Sequence, residues 1–210
     1  AFRQFADGGW QGLQHPADFG GQGLPKLIHA ACSEMVNSAS LSFALCPLLT
    51  DGAIEALLTA GTPEQQAAYI PKMIEGAWTG SMNLTEPQAG TDLGLVRMKA
   101  VPVDPAAGLD GAYRLSGSKI FISGGDHDLT ENIVHLVLAR LPDAPPGIKG
   151  ISLFVIPKLR EDGGKLLPNG VTCGAIEHKM GIKASPTCVI NFDNAEGFLV
   201  GEPNKGMKGM

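Results

Sequence analysis

No block rich in lysine or arginine occurs in this chain, and its formal net charge is -5. A nucleic-acid binder needs clustered cations to neutralise phosphates, so that class is excluded. Aromatic residues make up only 6% of the sequence, too few for a base-stacking surface. No apolar run reaches the roughly 20 residues that cross a bilayer. The start, Ala1-Phe2-Arg3-Gln4-Phe5, has neither an initiator Met nor a signal-peptide layout. It reads as the middle of a helix, as if the natural chain had been cut there. Only four cysteines occur, Cys32, Cys46, Cys173 and Cys188, with no C-x-x-C pair. Each lies among apolar or small residues, so buried free thiols in a reducing, cytoplasmic setting are expected, with a Cys173–Cys188 bridge left open. His15, His29, His127, His135 and His178 show no metal-ligand spacing. Glu177-His178 reads as a loop pair. Internal repeats and low-complexity tracts are absent.

What is present is a chain of 210 residues, 44% apolar and 18% charged. That is the composition of a soluble globular protein able to bury a sizeable core in one or two domains. Its first third is helical in character. Leu27, Ala30, Ala31, Glu34, Met35, Ser38, Leu41 and Leu45 recur at helical spacing, with Pro25 near the start and Pro47 after the end. A second helix is expected over residues 51–60, closed by Gly61. Thr62-Pro63-Glu64-Gln65 carries a cap, a proline at the first helical position and a glutamine three residues past the cap. It predicts a helix to about Ile74, stopped by Gly76.

The pattern then changes to short strands rich in Val, Ile, Phe and Tyr, bounded by Gly, Pro, Asp and Asn. They are expected over residues 78–84, 95–103, 112–122, 133–140, 151–157 and 187–192. Such a series suggests a closed barrel or two packed sheets. The link 160–173 is read as long and irregular, and 201–207 as a linker opening a new element. The domains expected are 1–78 helical, 79–200 all-β and 201–210 linker. The fold class is α+β, a partial helical domain followed by a barrel-like β-domain.

Two strand ends carry the chemistry. Leu84-Thr85-Glu86-Pro87-Gln88-Ala89-Gly90-Thr91-Asp92 offers hydroxyls and freed backbone amides around a glycine turn. Ser118-Lys119-Ile120-Phe121-Ile122-Ser123-Gly124-Gly125 puts Phe121 and Ser123 two apart on one strand face. A flat ring beside a hydroxyl suits a flavin. A capped turn and an ordinary core phenylalanine are the plainer readings of each segment alone.

Together the two segments resemble the flavin-binding signature of the acyl-CoA dehydrogenases. Gly20-Gly21-Gln22-Gly23-Leu24-Pro25, Gly117-Ser118-Lys119, Lys179-Met180-Gly181-Ile182-Lys183-Ala184-Ser185-Pro186-Thr187 and Gly201-Glu202-Pro203-Asn204-Lys205-Gly206-Met207 extend the resemblance over essentially the whole chain. Residues 128–140 resemble the branch that includes 3-methylmercaptopropionyl-CoA dehydrogenases. The resemblance implies an N-terminal helical domain, a middle β-domain and a C-terminal four-helix domain, the last absent here. It implies FAD as cofactor and α,β-dehydrogenation of an acyl-CoA thioester, in fatty-acid beta-oxidation. Electrons would pass to an electron-transfer flavoprotein, and the full-length protein would be a homo-oligomer.

By the same resemblance, Met82, Leu84, Thr85, Thr91, Phe121, Ile122 and Ser123 fall on cofactor-binding positions. Thr91 and Ser185 fall on acyl-CoA-binding positions. Thr91 stands where the family usually has Ser, Phe121 where many members have Trp, and Met82 where an aromatic is more common. No catalytic residue is matched, because the family's glutamate base belongs to the C-terminal domain. Glu86 is read as a structural acceptor, Asp92 as a turn cap, and Asp126 and Asp128 as solvated loop charges. The fragment itself is expected to be inactive. Two other readings remain open: a self-standing CoA- or protein-binding module, and an acyl-CoA oxidase or flavin monooxygenase relative.

Overall fold

The computed structural model describes all 210 residues. The helical part opens with α1 (Phe2–Asp7), α2 (Lys26–Ala39), α3 (Leu41–Ala60) and α4 (Pro63–Ile74). The expected single helix over 27–45 is broken at Ser40, which is extended and accepts a hydrogen bond from Phe43 N at 3.4 Å. A new helix starts there and runs on through Pro47, so the proline lies inside α3 rather than beyond a helix end. The Pro47 carbonyl accepts a hydrogen bond from Gln11 Nε2 at 3.2 Å. Residues 51–60 are therefore the second half of α3. At 20 residues, α3 is long and apolar enough to cross a membrane by composition, contrary to the sequence expectation. Half of that apolar stretch is buried within the fold, with Ala53, Ile54 and Leu57 fully enclosed.

Asp51, on α3, is a buried fastener. Gln11 Nε2 donates to it at 2.8 Å, and Nε2 of His15 and of His29 lie 2.7 and 3.1 Å from its oxygens. The irregular N-terminal segment and α2 are thereby fixed to one carboxylate. The capping box of α4 forms as expected, Thr62 and Gln65 each bonding the other's backbone N–H. Gln65 also reaches β9 through the Leu199 carbonyl at 2.8 Å.

Nine strands follow: β1 (Trp78–Asn83), β2 (Lys99–Pro102), β3 (Ala112–Ser123), β4 (Asn132–Ala139), β5 (Ser152–Pro157), β6 (Leu159–Asp162), β7 (Lys165–Pro168), β8 (Val171–Ile176) and β9 (Thr187–Val200). A four-residue helix α5 (Gly206–Gly209) ends the chain. The main sheet runs β1-β4-β5-β9-β3-β2, with β8 also on β9. It is mixed, since β1 and β4 are parallel and the other pairs antiparallel.

This path is open, and the expected barrel-like closure is corrected. Beyond β2, which has four residues, only one isolated bridge, Lys99 to Arg140, reaches the end of β4. Closure requires a complete ladder between the first and last strands, and β1 and β2 remain the two ends. Strand β9 is longer than expected because it changes neighbours along its length. Its first half pairs with β8 and its last residues with β5, around Asn194 at φ 49°. The link 160–173 is not irregular: β6 and β7 form a hairpin across Gly163-Gly164, and β8 begins at Val171.

Strand β4 is buried at every residue because both its faces are covered. Val134, Leu136 and Leu138 pack with Ile54, Leu57 and Met73 on the helix side. Val137 and Ala139 pack with Tyr113, Phe154 and Phe192 on the other side. Strand β1 lies against α3 at Gly80, where an added Cβ would sit 2.4 Å from the Ala53 Cβ. We expect Gly80→Ala to overpack this contact and to cost about 1–3 kcal/mol, read as a lower midpoint in thermal unfolding. An unchanged midpoint would show that β1 and α3 are not held this tightly.

Candidate cofactor site

Strand β1 alternates. Trp78, Gly80, Met82 and Leu84 face the helices, where Trp78 and Leu84 join the helix-side core and Met82 lies against Gly52 of α3. Thr79, Ser81 and Asn83 face the other way and are buried polar residues. Asn83 Nδ2 donates to Ser81 Oγ at 2.9 Å, and Ser81 Oγ lies 2.7 Å from His135 Nδ1. His135 Nε2 and Asn83 Oδ1 are buried without a partner. Burial pushes the His135 imidazole down to about 3. His127 accepts at Nδ1 from Leu129 N at 3.3 Å, so its proton sits on Nε2, 3.0 Å from Thr79 Oγ1. Burial also holds His127 below the usual imidazole range. Both rings are therefore kept neutral.

Past Asn83 the chain leaves the sheet and is caught by β3. Lys119 is 0% exposed and Glu86 is 4% exposed. Lys119 Nζ donates to the Leu84 carbonyl at 2.9 Å and to Glu86 Oε1 at 2.9 Å. Ile120 N donates to the Thr85 carbonyl at 2.9 Å. Both Glu86 oxygens are further engaged: Met98 N donates to Oε1 at 3.0 Å, and Arg97 N and Gln88 Nε2 donate to Oε2 at 2.8 and 2.6 Å. Burial pushes the Glu86 carboxyl up, but the Lys119 ammonium and these donors outweigh it and hold the group below the usual carboxylate range. Burial lowers the Lys119 ammonium, an effect that Glu86 partly offsets.

The two segments singled out in the sequence are thus brought together. Thr85 is bonded to Ile120, immediately before Phe121. Phe121 is 59% exposed with φ 58°, next to Ile122, which is buried in the core at 2%. Ser123 is half-buried at the strand end. Gly124 N donates to the Pro186 carbonyl at 2.8 Å, which sets Ser185 beside this end of β3. Ser185 is buried.

Other candidates are placed differently. The Ile122 side chain packs with Tyr113 and Ile190 in the core, and its carbonyl accepts from Gly125 N. Met82 and Leu84 turn their side chains toward the helices. Thr91 is exposed on the loop, while neighbouring Asp92 caps the turn by accepting from Gly94 N at 2.9 Å. Asp126 is not a free loop charge, since it pairs with Lys158. All four cysteines are free thiols. Ser81 and Asn83 were not singled out from the sequence, His135 was weighed only as a metal ligand, and Lys119 was quoted within its segment without a role. For Ser81, Asn83 and His135 the available signal was a polar alternation within an otherwise apolar strand pair.

The arrangement offers a ring and hydroxyls at one end of a sheet, framed by a fixed loop. Comparison with known proteins identifies the class. The family description "Acyl-CoA dehydrogenase, N-terminal domain" matches residues 1–77, and "Acyl-CoA dehydrogenase, middle domain" matches residues 81–195. The chain belongs to the acyl-CoA dehydrogenase family. It is 58% identical over 212 aligned residues to 3-methylmercaptopropionyl-CoA dehydrogenase of Ruegeria pomeroyi, covering 100% of this chain and 35% of that protein. It is 42% identical to a butyryl-CoA dehydrogenase of Syntrophomonas wolfei, covering 85% of this chain and 30% of that one. The chain thus spans about a third of the length of these curated relatives. Among solved structures, butyryl-CoA dehydrogenase from Megasphaera elsdenii superposes with a TM-score of 0.82 at 30% identity, over 99% of this chain and 51% of that one. An acyl-CoA dehydrogenase complexed with FAD from Bacillus anthracis gives 0.80 at 27% identity, over 99% and 33%.

Lys119→Met leaves the Glu86 carboxylate buried without its cation, and is expected to cost about 3–5 kcal/mol in chemical denaturation. A loss within the range of a surface ion pair would contradict the burial of this pair. For His135, the sign follows from a lowered folded value. The unfolded ring takes up its proton near 6.5 and the folded ring only near about 3. Stability from this residue is present above 6.5 and is lost as pH falls between those values, by about 2 kcal/mol from pH 7 to pH 5. NMR of the imidazole should find His135 neutral at pH 5, and a protonated ring there would contradict its placement.

Proposed function

We propose that this chain carries one side of the flavin site of an FAD-dependent acyl-CoA dehydrogenase acting in fatty-acid metabolism. The observation that carries the reading is the joining of the two loops at Lys119 and Glu86. It sets Thr85, Phe121 and Ser123 at one strand end, with an aromatic ring turned out of the core. An exposed flat ring beside hydroxyls fits an isoalloxazine, which needs an apolar face and donors at its rim. The chemistry that bound FAD would supply is that of an acceptor for the hydride leaving the acyl β-carbon.

This chain's residues hold and orient. Thr85 and Ser123 present hydroxyls to the cofactor, and Phe121 presents its ring. Met82, Leu84 and Ile122 contribute through backbone and packing, because their side chains turn to the cores. Thr91 is the hydroxyl shared between cofactor and thioester, and Ser185 lies toward the CoA moiety. Glu86 is not the base: Lys119 Nζ, Gln88 Nε2 and two backbone N–H groups already occupy its oxygens. The α-proton is taken by a carboxylate outside these 210 residues. The reading divides the chain into a helical domain over 1–78, a middle β-domain over 79–200 and a linker over 201–210. It carries with it an electron-transfer flavoprotein as electron acceptor, a homo-oligomeric full-length protein and a cytoplasmic setting.

The similarity to 3-methylmercaptopropionyl-CoA and butyryl-CoA dehydrogenases supports a short acyl-CoA as substrate. The full-length protein should be purified with about one flavin per chain, seen in its visible spectrum. Anaerobic addition of 3-methylmercaptopropionyl-CoA or butyryl-CoA should bleach that spectrum. Thr85→Val should weaken flavin binding about tenfold, the loss of one good hydrogen bond. The 210-residue chain alone should show no turnover. A full-length protein that binds no flavin would overturn the reading.

A further inference from the structure

We infer that Glu86 and Lys119 are positioning residues for the flavin, locking the loop after β1 onto β3 so that Phe121 stays turned outward in a left-handed backbone conformation. The inference rests on the flavin reading above. In an unbroken strand, residues 119, 121 and 123 would share one face. Here Lys119 is fully buried while Phe121 is 59% exposed, and Ile122 takes the buried place at 2%. The β3–β9 register shifts between Lys119 and Ile122, so the strand bulges and reverses its alternation. Phe121 sits at the bulge with φ 58°. A bulky residue rarely adopts this conformation, because its Cβ crowds the following carbonyl. The same residue also leaves its ring in solvent, although a regular strand would have carried it to the buried side.

Two fixed points flank this residue. On one side Lys119 Nζ grips the Leu84 carbonyl and Glu86, and Ile120 N is bonded to the Thr85 carbonyl. On the other, Ile122 is sunk in the core and Gly124 N is bonded to the Pro186 carbonyl. Glu86 is itself held by the backbone of Arg97 and Met98, so it is a rigid anchor. A buried ion pair is a poor stabiliser compared with an apolar pair of the same volume. Backbone strain of this kind gathers where a side chain must be presented. The two devices within three residues of each other serve one purpose: a ring held outward next to the Ile120–Thr85 backbone bond.

The test is a double-mutant cycle in the full-length protein, titrating apoprotein with FAD and melting the apoprotein. Glu86→Gln keeps the side-chain shape and removes its charge, and Phe121→Ala removes the ring. Each is expected to weaken FAD binding about tenfold, and the double variant to be no weaker than the worse single, the mark of coupled residues. Losses that multiply to about a hundredfold overturn the coupling while leaving the flavin reading intact. No loss from Phe121→Ala in a protein that binds FAD overturns this inference and the assigned role of Phe121 together. Phe121→Asn is a check that does not depend on Glu86→Gln folding, since Asn tolerates the left-handed region. Its apoprotein should melt no lower than the native one while binding FAD more weakly, and a lower melting point overturns the strain.

Discussion

A buried lysine reaching across from one strand to the loop of another is the contact on which the site depends. Lys119 Nζ is shared between the Leu84 carbonyl and the Glu86 carboxylate, and Glu86 in turn collects the N–H groups of Arg97 and Met98. One small cluster thus ties β3, the loop after β1 and the approach to β2. In the protein interior an unpaired carboxylate or ammonium would be costly, so each charge enforces the presence of the other. The geometry is set by what these charges cannot do without.

Around this cluster the sheet separates two kinds of interior. The helix side of β1 and β4 is apolar, with Trp78, Val134, Leu136 and Leu138 meeting α3 and α4. The opposite face of β1 is lined by Thr79, Ser81 and Asn83, with neutral His127 and His135 beside them. The apolar side supplies adhesion through burial. The polar side supplies direction, because hydrogen bonds fix angles that packing alone does not. Asn83, at the end of that polar stripe, is the last residue before the loop that Lys119 holds. This explains why a strand so deep in the fold carries so few apolar residues on one face.

Legibility in the sequence follows the range of the interaction. The Thr62–Gln65 capping box spans three residues and was readable directly, as were Asp92 as a turn cap and Glu86 as a hydrogen-bond acceptor. The break at Ser40 and the passage of α3 through Pro47 were not. The Ser40 cap is local but lies within an unbroken helical spacing that hides it. The passage through Pro47 goes with Gln11 and with the fit of α3 against β1, contacts made across tens of residues. The barrel-like expectation failed for a similar reason, since strand spacing cannot say whether the first and last strands meet. The hairpin β6–β7 was missed because its four-residue strands are too short to show alternation.

The sequence by itself determined the family, the two loop motifs and the order of helices followed by strands. These rest on local pattern, where residue identity and spacing suffice. Only the tertiary structure decided that Phe121 faces out while Ile122 faces in, that Lys119 and Glu86 meet, and that the sheet stays open. Those outcomes belong to pairs of residues distant along the chain, and to a backbone bulge at β3 whose sign no local pattern carries. Folding selects them by satisfying buried charges and burying apolar surface at once.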